Sequence, residues 1–113
     1  MSEETAEVAE VLAALADPTR RRVLDLIAAR GEATATAVAA ELPVSRQAVV
    51  KHLAVLDRAG LVHGHREGRE MRYAVRSDQL EAAARWIDDL AAEWDARLAR
   101  IKRIAEDTEN ASS

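Results

Sequence analysis

Eight apolar residues, Leu80, Ala84, Ile87, Ala91, Trp94, Leu98, Ile101 and Ala105, stand at steps that alternate four and three. Sustained over about four repeats, that spacing is a heptad seam on one helix. It predicts a helix over residues 78–107, near 45 Å long at about 1.5 Å per residue. Leu90 and Ile104 lie beside the seam and widen it. The rest of a 113-residue chain is too small to cover such a stripe. The seam therefore predicts a second copy as its cover, a homodimer with Leu80, Ile87, Trp94, Leu98 and Ile101 in the interface. Trp86 and Trp94, eight residues apart, read as core and interface anchors rather than pocket walls.

What precedes the seam must build its own core. Val8, Val11, Leu12 and Leu15 recur at helical spacing and predict a first helix over about residues 4–15. That stripe also needs cover, and Val8 and Leu12 are expected to join the dimer interface. Asp17-Pro18 restarts the chain: Asp17 can cap, and Pro18 suits the first helical position, where its missing N–H has no intrahelical partner. Val23, Leu24 and Ile27 face inward on this second helix, and Gly31 stops it. A third, short helix fits residues 35–41. Leu42-Pro43-Val44 breaks it, because proline drives the preceding residue out of helical dihedrals.

Ser45 is a good N-cap for a fourth helix, closed by Gly60. At about 100° per residue, Val49, Leu53 and Leu56 fall on one face. Gln47, Lys51, Ala54 and Arg58 lie opposite, with Val50 at the edge and His52 on the flank. After Gly60 the period changes to that of strands. Leu61–Arg66 and Glu70–Val75 form a hairpin through the turn Glu67-Gly68-Arg69. Two short helices around a tight break, then a basic hairpin, make a winged helix-turn-helix. The expected fold is mostly α with a small β-hairpin (α+β). It is a single domain, 1–113, with the helix-turn-helix at 33–60, the wing at 61–76 and the long dimerisation helix after it.

The chain carries a net charge of −4, which alone would argue against a polyanionic partner. The distribution reverses that argument. Residues 1–17 hold five acids and no base, whereas residues 43–76 hold seven bases against three acids. Local potential, not net charge, steers a polyanion. The chain has no cysteine, which excludes disulfides and thiolate metal sites and fits the cytoplasm. The N-terminal residues have neither a basic stretch nor an apolar run, and no segment approaches a membrane span, so neither signal peptide nor membrane partner is expected.

The stretches "ALADPTRRRVLDLIAARGE", "VSRQAVVKHLAVLDRAGLV" and "REGREMRYAV" resemble the ArsR family of bacterial winged-helix transcription regulators. The resemblance covers about residues 10–76, and the long last helix fits the family's dimerising helix. It implies a homodimeric repressor binding double-stranded DNA at an inverted-repeat operator. It implies DNA contacts at Ser45, Arg46, Gln47, Val50, Lys51 and His52, and in the wing at Arg66, Arg69 and Arg72. Gln47 suits adenine, and Arg46 a guanine or a phosphate. Val50 stands where a small hydroxyl residue is often found.

The family's best-known members sense metals or arsenic, and here this sequence departs. Thr34 and Thr36 stand where the resemblance would place the cysteines, and hydroxyls are poor ligands for soft ions. The last helix has no histidine for the family's second site. His63 and His65 would point to one side of a strand, with no third ligand in sight. No metal and no cofactor are therefore expected, and a small-molecule effector is left open. Arg20 reads as a partner to the acids of the first helix. No nucleophile–base pair or phosphate loop marks an enzyme. The competing reading is a winged-helix module whose polar face meets another protein.

Overall fold

A computed structural model describes residues 2–111. Met1, Ser112 and Ser113, the ends of the expected domain, lie outside the described residues. The elements run α1 (Glu3–Leu15), α2 (Pro18–Arg30), α3 (Ala35–Ala39), α4 (Arg46–Arg58), β1 (Val62–Glu67), β2 (Glu70–Val75) and α5 (Asp78–Ala111). Packing divides the chain into two compact units, Met1–Ala83 and Ala84–Ser113. Among the described residues every buried one lies in the first, and the second is helix throughout its described length.

The starts of α1 to α4 follow from their caps. Ser2 accepts from the Thr5 N–H, Asp17 from Arg20, Thr34 from Ala37 and Ser45 from Ala48, each near 3 Å, so one orphan donor per N-terminus is satisfied. Helix α3 ends at Ala39, two residues before the expected stop, because the turn at Ala40–Glu41 already leads the chain toward Pro43. Helix α5 continues four residues beyond the expected Asp107, since Thr108–Ala111 contains neither glycine nor proline to stop it.

The core of the first unit is apolar. Val8, Val11 and Ala14 of α1, Val23, Leu24 and Ile27 of α2, and Val49, Leu53 and Leu56 of α4 are its helical contributors. Helix α4 packs against α1, α2, α3 and β1. The inward face of α4 is the one the sequence predicts. That of α1 is not. Val8, expected at the dimer interface, is 2% exposed and covered by its own chain, while Leu12 is 41% exposed. The small Ala14, rather than Leu12, completes the inward stripe with Val8 and Val11.

The wing also differs from expectation, by one residue. Glu67 pairs with Glu70, so the loop is Gly68-Arg69 alone. Gly68 takes φ +64°, which fits the turn with glycine at its first central position. In this register Arg66 lies opposite Met71 and His65 opposite Arg72. Directly opposed residues share a face and successive ones alternate. Arg66, Met71, Gly64 and Tyr73 therefore occupy one face of the hairpin, and His65, Glu67, Glu70 and Arg72 the other. Gly64 admits the Tyr73 ring, since a Cβ there would meet Tyr73 Cε1 at 2.8 Å. Reciprocal backbone bonds between Ala33 and Tyr73, 3.0 and 2.9 Å, tie β2 to the α2–α3 loop.

Candidate nucleic-acid interface

The site grows from the start of α4. Capping leaves the Ser45 hydroxyl facing the first turn, where it accepts from Ala48 N–H and keeps its own proton to donate. Arg46 begins the helix, and its Nε donates to Thr36 Oγ1 of α3 at 3.1 Å. Arg46, Gln47, Val50 and Lys51 are exposed and line a shallow recess of about 430 Å³. Since Val49, Leu53 and Leu56 are buried to 1% exposure or less, the polar set faces outward as one surface.

A second cleft, about 580 Å³, joins this surface to the wing. Thr34, Thr36, Arg46 and Val50 line it from the helices, and Arg66, Arg69, Met71 and Tyr73 from the wing, where the acidic Glu70 also borders it. The structure thus brings Arg66 and Arg69 together with the start of α4. It does not bring Arg72 there. Arg72 lies on the opposite face of the hairpin, its Nε 3.1 Å from Glu67 Oε2 and its Nη2 3.3 Å from Glu70 Oε2. The first contact is a close ion pair without hydrogen-bond alignment, and the second is a hydrogen bond. Arg72 is neutralised within the wing rather than presented with its neighbours.

His52 is half-buried on the flank of α4, and its Nδ1 accepts from Arg20 Nε at 3.4 Å. Arg20 was expected to meet acids of the first helix. Instead its Nη1 donates to the carbonyls of Ala13 and Ala14 at the end of α1, at 3.4 and 3.1 Å, the first of which also accepts from the Ala16 N–H. Close by, the backbone N–H of Arg20 holds the Asp17 carboxyl below the ordinary carboxylate range. Burial opposes that shift, and the neighbouring His52 and Arg20 side chains assist it. Arg58, grouped with the polar face in the sequence, lines a separate recess with Glu7 and Glu10.

Among the described residues, one trio of ligand-type side chains comes together: Glu32, His65 and Glu67, with candidate atoms within 4.8 Å of one another. His65 Nε2 is 3.7 Å from Glu32 and 3.9 Å from Glu67. His63 and His65 do lie on one face of β1, as their spacing implies, and the Ala33–Tyr73 bridge brings Glu32 of the α2–α3 loop beside His65. All three side chains are well exposed, and Glu67 is also held by Arg72. Sequence reasoning missed Glu32 and the bond from Arg46 to Thr36, both long-range contacts without a local signal. Thr34 as the cap of α3 had one, a hydroxyl residue just ahead of a short helix.

In sequence, residues 15–65 match a family model described as a helix-turn-helix domain. The transcriptional repressor SdpR of Bacillus subtilis is 32% identical over 77 residues, which span 68% of this chain and 84% of that protein. An ArsR-like transcriptional regulator from Rhodococcus sp. RHA1 superposes with a TM-score of 0.81 at 46% identity. The match covers 89% of this chain and 94% of that one. The chain belongs to the ArsR family of transcriptional regulators. A homodimeric winged helix-turn-helix DNA-binding domain from Mycobacterium bovis is 30% identical, with a TM-score of 0.60, covering 87% of this chain and 91% of that one. This ArsR-family chain is thus a DNA-binding transcriptional regulator, and its relatives act on transcription rather than as enzymes. No described helix is long and apolar enough to cross a membrane.

Proposed function

We infer that the protein is a homodimeric repressor that binds an inverted-repeat operator through α4 and the wing. One observation carries the reading. Arg46, Gln47, Val50 and Lys51 form a single exposed face, joined by a cleft to Arg66 and Arg69. That is the geometry of a helix in a major groove with a hairpin on the neighbouring backbone. The repressor sense rests on likeness to SdpR, and the dimer on the exposed apolar residues of α5 and likeness to the homodimeric mycobacterial domain. A two-fold dimer of this kind presents two such faces about one helical turn apart, and its symmetry is why the operator is an inverted repeat.

Within that face the roles divide. Gln47, in the first turn, reads adenine through donor and acceptor together. Lys51, one turn later, is a point charge suited to phosphate. Ser45 and His52 each carry a hydrogen to donate to the backbone, and Val50 offers methyls to a thymine methyl. Arg69, at the hairpin tip beside Gly68, tracks the backbone. The test is titration of a duplex selected from a random pool, and of its scrambled version, at several salt concentrations. Gln47→Ala should cost about 1–3 kcal/mol on the selected duplex and little on the scrambled one. Arg69→Ala should weaken both and reduce the salt slope by about one. If neither variant changes either affinity, this face does not bind DNA and a protein partner takes its place.

A further inference from the structure

Arg46 is held as well as exposed. Its Nε donates to Thr36 Oγ1 at 3.1 Å, across the break between α3 and α4. The acceptor is itself fixed. Thr36 lies in α3, which Thr34 caps through Ala37 N–H at 3.1 Å and which packs on α4. A threonine on a helix is confined to two main χ1 choices, so its hydroxyl has few places to sit. A guanidinium carries five N–H groups in one plane, one on Nε and two on each Nη. With Nε engaged, the side-on edge that pairs Nε with an Nη is partly spent. The end-on fork of Nη1 and Nη2 remains, and that fork matches O6 and N7 of guanine. Arg46 is also the first residue of α4, and the first turn of such a helix is where side chains reach base edges. A phosphate contact needs only a nearby positive charge, which Lys51 and Arg69 supply without any fixed fork.

We propose that Thr36 is a positioning residue for DNA recognition, holding Arg46 by Nε so that its Nη fork selects a guanine in the half-site. The proposal rests on α4 being the recognition helix. Thr36 touches no base; it acts through Arg46 by removing rotamers the free side chain would sample.

The experiment is a double-mutant cycle of Thr36→Val and Arg46→Ala in the full chain. Binding is measured to the duplex selected from a random pool and to its scrambled version, with Thr36→Ser as the rescue. Thr36→Val keeps the side-chain shape and deletes the hydroxyl. It should weaken the selected duplex about three- to tenfold, the range of one hydrogen bond's net worth, and leave the scrambled duplex within about twofold. In the Arg46→Ala background the same change should have no further effect, while with Arg46 intact Thr36→Ser should bind like the wild type. Replacing the selected guanine with 7-deazaguanine, which lacks the N7 acceptor, should weaken the wild type but not Arg46→Ala. Equal loss on both duplexes means Arg46 grips phosphate and overturns the guanine assignment. Equal loss with and without Arg46 means Thr36 acts on the fold alone, and no loss means the bond positions nothing; each overturns the proposal. If Arg46→Ala itself leaves the selected duplex unaffected, the reading of α4 as the recognition helix falls with it.

Discussion

Trp94 is the sharpest probe of assembly. It is 50% exposed on α5, with Ile87, Leu98 and Ile101 exposed to 45, 58 and 60% along the same seam. A buried tryptophan covers about 150–250 Å², so the open half offers roughly 100 Å² to a partner. At ~25 cal/mol/Å² its burial contributes about 2.5 kcal/mol per protomer. Symmetry makes one substitution act twice, so Trp94→Glu removes about 5 kcal/mol of dimer free energy from area alone. That corresponds to more than three orders of magnitude in Kd. The new carboxylate adds an unpaired charge at the interface. Arg97, now 5.1 Å from the Trp94 ring centroid, offsets part of that cost, although Glu93 already holds it at 2.8 Å. Sedimentation equilibrium at micromolar concentration should find the wild type dimeric and Trp94→Glu monomeric. Asp89→Ala, across the helix from the seam, should leave the dimer intact. A monomeric wild type, or a Trp94→Glu dimer as tight as wild type, would refute the reasoning.

Leu53, 1% exposed on the inward face of α4, should cost about 2–5 kcal/mol as Leu53→Ala. Urea unfolding at fixed protein concentration should show a lower midpoint with an unchanged slope. Asp17, its folded pKa lowered chiefly by the Arg20 N–H, stabilises the fold above the ordinary carboxylate range, and that contribution is lost as pH falls through the lowered value. The stability gap between wild type and Asp17→Ala should thus be flat from about pH 7 to 5 and shrink below about pH 4; a gap that widens in acid contradicts this. With no thiolate in the chain and Glu67 of the exposed trio held by Arg72, equimolar zinc, cadmium or arsenite should change DNA affinity less than about twofold. Tight zinc binding that releases DNA, and is abolished by His65→Ala, would overturn that expectation.

The parts of this structure legible in the sequence are those set by neighbours a few residues apart. Asp17 and Ser45 cap the helices they were expected to cap, and Gly31 and Gly60 take positive φ just beyond the ends of α2 and α4. Val49, Leu53 and Leu56 face inward because a helical period needs only one window to read. The contacts that shape the site join residues far apart, and no local period encodes them. Arg20 reaches His52 thirty-two positions on, and Ala33 bridges to Tyr73. On α1, Leu12 and Ala14 both fit a stripe with Val8 and Val11, and only the neighbouring helices decide for the smaller. The candidate DNA surface was legible on α4 and half legible on the wing. A three-residue turn at 67–69 would pair Arg66 with Glu70 and place Arg66 and Arg72 on one face. The actual two-residue loop shifts the register by one, and a one-residue slip moves a side chain to the other face.

That slip changes which charges the wing offers to DNA. Arg66 shares its face with Met71 and Tyr73 and lines the cleft next to Arg46. Arg72 sits with Glu67, Glu70 and His65, and its charge is spent on the two carboxylates. Counterion release counts only the cations that meet phosphate, at a log–log slope of about −0.9 for each. If α4 and the wing bind DNA as proposed, the bases of the sequence overstate the wing's contribution, and Arg66 and Arg69 are the pair expected to meet phosphate. Arg66→Ala should flatten the salt dependence by about one in slope. Arg72→Ala should leave the slope as it was, while binding weakens modestly because Glu67 and Glu70 lose their neutralising partner and repel the backbone. Parallel titrations at several salt concentrations separate the two. Equal slope changes for both variants would mean that Arg72 leaves its carboxylates to reach phosphate when DNA binds, and that the two-faced wing is a property of the free protein alone.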